Sequence, residues 1–218
     1  MFNGDAAPID GRRARRERSR DAIIDAAFGL LCDGKMPPTV DDVAARAGVS
    51  VSSVFRNFDG LDDLHRQAFD VFQQRFAHLM EAPSSVEADR GSRIAAHVRS
   101  RLALFEAAGP LMLFARKRSL DHQLIADGVG RNRSALADQT RARFAPEARD
   151  LTPADAANLV AVIDSLTSPE AYEVMGAANS RSHRQIGRAW NTALTALLAN
   201  WPGLPAAESD VHVVLGTE

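Results

Sequence analysis

Only one cysteine, Cys32, and one tyrosine, Tyr172, occur in the 218 residues. A single thiol excludes an intramolecular disulfide and fits a reducing, cytoplasmic setting. Val, Ile and Thr nowhere gather into alternating runs, so strands have little support and the predicted fold class is all-α. No stretch approaches ~18 uninterrupted apolar residues, and no apolar run of the signal-peptide kind follows the N-terminal arginines, so no membrane association is expected. His65, His78, His97, His122, His183 and His212 form no His-x-x-x-His pair and lack a cysteine cluster, which leaves a metal site unsupported. Gly-x-Ser-x-Gly and P-loop patterns are absent. Gly128-Val129-Gly130 lies in a helical stretch with no strand before it, so it is no dinucleotide fingerprint; such glycines loosen a helix or let it pack closely. The carboxylates are spread over exposed faces. Neither catalysis nor a bound cofactor is expected.

What is present is uneven charge. The net charge is −2, yet residues 11–20 (GRRARRERSR) hold six arginines, Arg12, Arg13, Arg15, Arg16, Arg18 and Arg20, against one glutamate. Affinity for nucleic acid depends on local positive charge, so a near-neutral total does not argue against it. A solvated, disordered arm is the other reading of such a run. Residues 1–10 are polar and read as unstructured.

Downstream, Ile23, Ala26, Ala27, Leu30 and Leu31 form one apolar helical stripe, with Gly34 and Pro37-Pro38 as its stop. Thr39 and Asp42 make a capping pattern for a second helix with Val40, Val43, Ala44 and Ala47 on its buried face, ended by Gly48. Ser50 caps a third, with apolar positions Val51, Val54, Phe55 and Phe58. A longer helix runs from about Leu61 to Met80. A loop is predicted at 82–91, then a helix from Ile94 that stops at Gly109-Pro110, a short apolar helix Leu111–Ala115, and a helix over about 120–145. Another opens at Thr152-Pro153 and is broken by Ser168-Pro169. The last carries Ile186 to Trp201, and the tail from Gly203 reads as loose.

Two short helices joined by a glycine turn need the Ile23–Leu31 helix to bury their apolar sides. The resulting three-helix unit projects one polar side of its last helix, the helix-turn-helix arrangement whose recognition helix enters the major groove. Its outward candidates are Ser52, Ser53, Arg56 and Asn57; Arg suits guanine and Asn suits adenine. Thr39, Ser50 and the helix N-termini are candidate phosphate contacts. Docking onto protein instead of DNA is the alternative for this unit, and the arginines argue against it.

The stretch AIIDAAFGLL…TVDDVAARAGVSVSSVFRNFDGLDDL closely resembles the TetR family of bacterial regulators over about residues 20–65. The resemblance rests on the Ala-Ala first helix, Ala47-Gly48-Val49-Ser50, and Phe55-Arg56-Asn57-Phe58. Four departures stand out. Phe55 replaces a tyrosine whose hydroxyl commonly binds phosphate, and Asn57 stands where His is frequent. Leu61 stands where the family usually has Lys. Val51 stands where polar or basic residues are common, either touching a thymine methyl or packing beside Val54 and Phe55. The arginine arm is the natural compensation for the phosphate-binding groups that this chain does not have.

The resemblance implies a division into a flexible basic arm (1–18), a DNA-binding domain (19–65), a helical ligand-binding and dimerisation domain (66–202) and a loose tail (203–218). It implies a homodimeric regulator, usually a repressor, on palindromic double-stranded DNA, with its last two long helices in a four-helix interface. Leu159, Ile163, Leu166, Ile186, Trp190, Leu194 and Leu197 fit that interface by spacing, or an ordinary intrachain core. An unknown small-molecule inducer is expected. His97, Arg101, Phe105, Met112, Phe114, Arg116 and Tyr172, with Glu106 and Asp164 nearby in sequence, combine apolar walls and polar groups as a pocket requires; the same set also reads as plain core.

Overall fold

The computed structural model describes residues 7–33, 35, 37–80 and 89–204. Among the described residues the regular structure is helical, without strands, as predicted: α1 (Ala7–Cys32), α2 (Val40–Ala47), α3 (Val51–Asn57), α4 (Gly60–Met80), α5 (Arg90–Arg118), α6 (Gln123–Arg143), α7 (Ala145–Ala148), α8 (Pro153–Leu166), α9 (Pro169–Glu173) and α10 (His183–Asn200). A π-helical stretch, Val174–Ala178, follows α9. The chain divides into two units, one of residues 1–80 with 104–134, the other of 81–103 with 135–218. The family resemblance implies a boundary at residue 65, and apolar periodicity marks what is buried but not against what.

In the first unit the stripe on α1 closes over the two short helices. Ile23, Ile24, Ala27 and Leu31 pack with Val43 and Ala44 of α2, Val54 of α3, Phe58, and Leu64 and Ala68 of α4. Each fully buried Ile, Leu or Phe contributes about 1.5–3 kcal/mol. Leu111 and Phe114 of α5 join the same core, and the His65 ring meets Phe114 edge-on at 4.8 Å. Gly128 gives α6 a close approach: a Cβ there would run into the Phe69 ring.

Two local predictions are corrected and a third is extended. The described part of the basic segment is helical, since α1 begins at Ala7; Arg is a good helix former, and Arg13 pairs with Glu17 one turn on at 3.1 Å. The helix predicted to stop at Gly109-Pro110 runs on to Arg118. Ala108, Leu111, Phe114 and Ala115 flank the proline and are all buried, and that packing outweighs the missing backbone donor, which costs about 3 kcal/mol in a helix interior. Ser168-Pro169 does end α8, but Ser168 then caps α9 with its hydroxyl on the Ala171 amide and proline at the first position. Gly34, most of the predicted 82–91 loop and the tail beyond Leu204 lie outside the described residues.

In the second unit Ile94, Val98 and Leu102 of α5, Leu136 of α6, Phe144, Leu159, Val160 and Ile163 of α8, and Ile186, Trp190, Leu194 and Leu198 of α10 are buried. Gly187 keeps α10 close to α5, since a Cβ would stand 2.8 Å from Leu102 Cδ1. Of the residues whose spacing fits a dimer interface or an ordinary intrachain core, Leu159, Ile163, Ile186, Trp190 and Leu194 are at most 3% exposed within the single chain. They took the inward positions because the largest apolar residues on a helix seek its own core first.

Candidate nucleic-acid interface

The geometry of the helix-turn-helix is set by its ends. Thr39 is extended and its hydroxyl accepts from the Asp42 amide, while the Asp42 carboxylate accepts from the Thr39 amide, a complete capping box. Lys35 donates to Asp42 at 2.6 Å. That hydrogen bond, with those from Thr39, lowers the Asp42 pKa to about 2. Thr39 is thereby fixed to its own helix. Gly48 closes α2 in the left-handed region at φ 67°, its amide returning to the carbonyls of Ala44 and Ala45. Two residues later Ser50 caps α3, accepting from the Ser53 amide at 3.2 Å.

On α3 the seven residues sort by burial. Val54 is core. Val51 is half-buried and packs against that core. Ser52, Phe55 and Arg56 are exposed. Phe55, read from sequence as an inward apolar position, is instead 55% exposed; the core is already filled by Val54 and Phe58 on the adjoining turns. Arg56 Nη2 donates to Ser53 Oγ at 2.7 Å, which lays the guanidinium along the outer face. Asn57 is half-buried, and its amide donates back to the Ser53 carbonyl at 2.8 Å. Of the four polar candidates for base contact, Ser52 and Arg56 are therefore the exposed ones, Ser53 is half-buried and Asn57 is tied to the helix.

The arginines of α1 reach the same element. Arg16 Nη2 donates to the Arg56 carbonyl at 3.4 Å, placing a cation at the negative end of α3. The Arg20 guanidinium lies over the Phe58 ring, 5.8 Å from its centroid. Arg13, Arg15 and Arg18 are exposed, and Arg18 donates to the Ala14 carbonyl. Nothing is described for the Arg12 side chain, which lies outside the described side chains.

The predicted pocket residues are not brought together within one unit. His97, Arg101 and Tyr172 belong to the second unit, and Phe105, Met112, Phe114 and Arg116 to the first. Phe105 and Phe114 are buried, while Met112, Arg116 and Tyr172 are half-buried. The Tyr172 hydroxyl is 3.3 Å from His183 Nδ1. A concavity of about 370 Å³ in the first unit is lined by Asp62, Asp63, Arg66, Asp121, His122, Gln123, Leu124 and Ile125, none of them in the pocket expected from sequence.

The second unit also holds a polar network, in which His97, Arg101 and Asp164 were named from sequence and Thr140, Thr167, Arg93 and Glu147 were not. His97 Nε2 meets the Thr167 hydroxyl at 2.9 Å. Arg101 Nη2 donates to the Leu136 carbonyl, the Thr140 hydroxyl and Asp164 Oδ1. Glu147, almost wholly buried, pairs with Arg93 and Arg90. Helical periodicity gives no sign of such groups, because a polar residue at an inward position looks like a defect in the stripe. No helix among the described residues is long and apolar enough to cross a membrane, and no group of His, Cys, Asp or Glu among them could hold a metal ion.

No family model and no curated protein matches the chain. Solved structures do. A transcriptional regulator from Rhodococcus sp. Rha1 superimposes with a TM-score of 0.64 at 20% identity, over 87% of this chain and 99% of that one. A TetR transcription regulator from Haloarcula marismortui gives a TM-score of 0.63 at 15% identity, over 83% and 96%. With its capped α2, glycine turn and capped α3 enclosed by α1 and α4, the chain has the fold of the TetR-type transcriptional regulators.

Proposed function

We propose that this chain is a sequence-specific DNA-binding transcriptional regulator: a homodimeric repressor, acting in the cytoplasm on a palindromic operator and released by a small molecule. The observation that carries the reading is the outer face of α3. A helix capped at Ser50 presents Ser52, Phe55 and Arg56 to solvent, with Arg16 of α1 bonded at its far end. Arg56 is the base reader, bidentate to guanine. Ser50 and the free amides at the start of α3 take phosphate. Phe55 cannot donate to phosphate as a tyrosine would, so its ring packs on sugar or a thymine methyl. Arg13, Arg15, Arg16, Arg18 and Arg20, with Arg12, supply backbone affinity.

For dimerisation the support is the outward side of α8 and α10. Val162 and Leu166 are 37% and 38% exposed, and Ala189, Ala193 and Ala196 line the exposed side of α10. Of the residues picked from sequence, Leu166 and half-buried Leu197 remain within reach of a partner. A twofold axis would set two copies of α3 into successive major grooves. A ligand acts by favouring a form in which the two helices are wrongly spaced.

The test is a titration of duplex DNA fragments at two salt concentrations. Affinity that falls steeply with salt supports the reading; no binding at low salt, or binding indifferent to salt, defeats it.

A further inference from the structure

Within the second unit, two guanidiniums are buried together with too few acceptors. Arg101 is 1% exposed and Arg143 is 3% exposed. Arg101 directs a single nitrogen, Nη2, at its three acceptors, and its Nε and Nη1 have no partner. Arg143, the last residue of α6, has no partner at Nε, Nη1 or Nη2. A guanidinium carries five N–H donors and no acceptor, so the whole donor set of Arg143 is unused in the interior. Asp164 is the carboxylate bonded within this cluster, and its Oδ1 is already shared between Arg101 and Thr140.

Among the described hydrogen-bond partners of Arg101 and His97, Asp164 is the one carboxylate. Thr167 Oγ1 donates to the Ile163 carbonyl, so in the pair with His97 it accepts, and the proton sits on His97 Nε2. His97 Nδ1 is then a bare acceptor without a partner. Burial first, then Arg101 and Arg143, holds the His97 pKa far below the ordinary histidine range, so the ring is neutral. Burial and the neighbouring Arg143 also pull Arg101 down to about 10, against the pull of Asp164. Arg143 follows Thr140, the hydroxyl that Arg101 holds, by one turn of α6, and precedes Phe144, whose ring lies against His97. Phe144 meets the His97 ring edge-on at 5.3 Å, and Leu136 and Phe144 are buried, so the surroundings are apolar. The Asp164 side chain is 28% exposed and marks where the cluster meets solvent.

Buried charges are paired or hydrogen-bonded, and the fork of an arginine matches the two oxygens of a carboxylate or phosphate. We propose that the His97–Arg101–Arg143 cluster is a binding site for the oxyanion of a small molecule, with Arg143 its principal ligand and Arg101 Nη1 and Nε completing it. The apolar rim of Leu136 and Phe144 takes the remainder of that molecule. The site deepens the reading above, on which it rests for the effect on DNA; binding of the anion itself does not require that reading.

The test uses the full chain without DNA, titrated calorimetrically and by thermal unfolding with benzoate, inorganic phosphate and uncharged benzamide. Saturable binding of benzoate or phosphate, with a matching rise in Tm and no response to benzamide, is the result expected; which anion binds distinguishes an organic acid from a phosphate. Arg143→Met should weaken that binding at least about tenfold with the helical circular dichroism unchanged. Should Arg143→Met not fold, Arg143→Lys, which keeps the charge without the fork, should bind measurably more weakly than the wild type. No heat and no Tm shift with either anion, or equal affinity in the Arg143 variants, overturns the proposal and turns Arg143 toward the unpartnered Oε2 of Glu147. DNA affinity, measured separately on the same samples, shows whether the DNA-binding reading stands or falls apart from this one.

Discussion

Arg56 separates two kinds of contact at the level of a single side chain. Exposed on α3 and held by Ser53, it is the base reader under the proposed function. Arg56→Ala should therefore cost about 1–3 kcal/mol on the selected sequence and much less on unrelated DNA. Equal losses on both, in paired affinity measurements, would make it a phosphate contact. His65 carries a different residue-scale consequence. It is 7% exposed, neither ring nitrogen has a partner, and its pKa is lowered to about 4 from 6.5 by burial first, then by Arg118. Between those two values the unfolded chain takes up a proton that the folded chain refuses, so stability falls as pH drops through that window, by up to about 3 kcal/mol. His65→Phe keeps the edge-on contact with Phe114 and should flatten the acid side of a pH series of urea unfolding curves. An unchanged slope would assign the acid loss to other groups. His65 also shows what residue identities alone conceal: nothing in the sequence tells a buried neutral histidine from a solvated one, and the same holds for Arg143 and Glu147.

Element ends were the most legible feature, because capping chemistry is local. Thr39 with Asp42, Gly48, Ser50, and Thr152 with Pro153 were all readable, and each does the job its chemistry suggests. What was not readable depends on the rest of the fold. The sequence shows Phe55 as apolar, not that Val54 and Phe58 leave it no room inside. It shows Pro110 as a breaker, not that buried neighbours hold the helix through it. Gly48 permits a clean test. A Cβ there would meet nothing within 4 Å, so Gly48→Ala pays only for the left-handed backbone, about 1–2 kcal/mol in chemical denaturation. No loss would mean that the turn relaxes. For α1, replacing Arg13, Arg15 and Arg18 by Ala removes exposed cations without touching the core. The slope of log affinity against log salt should shrink by about 0.9 for each phosphate that is no longer neutralised. An unchanged slope would remove α1 from the interface.

At the scale of the whole molecule, the fold is shared with solved regulators at identities of 15–20%. The all-helical class and the position of the two short capped helices with their glycine turn followed from periodicity and capping. The grouping of residues 104–134 with the first unit did not, since it is set by contacts far apart in sequence, such as Phe69 against Gly128 and His65 against Phe114. Nor could spacing say which side of α8 and α10 faces inward. Both sides of α8 are apolar enough to bury, and only the packed chain leaves Val162 and Leu166 outside.

The central claim is that α3 reads DNA sequence as one half of a twofold pair. Selection of bound duplexes from a random pool by the full chain tests it most directly. The account predicts enrichment of an inverted repeat whose half-site centres lie about one helical turn, or a multiple of it, apart, with that enrichment abolished when Arg56→Ala is used instead. A pool that stays random after repeated rounds at low salt, or the same sequence recovered with Arg56→Ala, would contradict it.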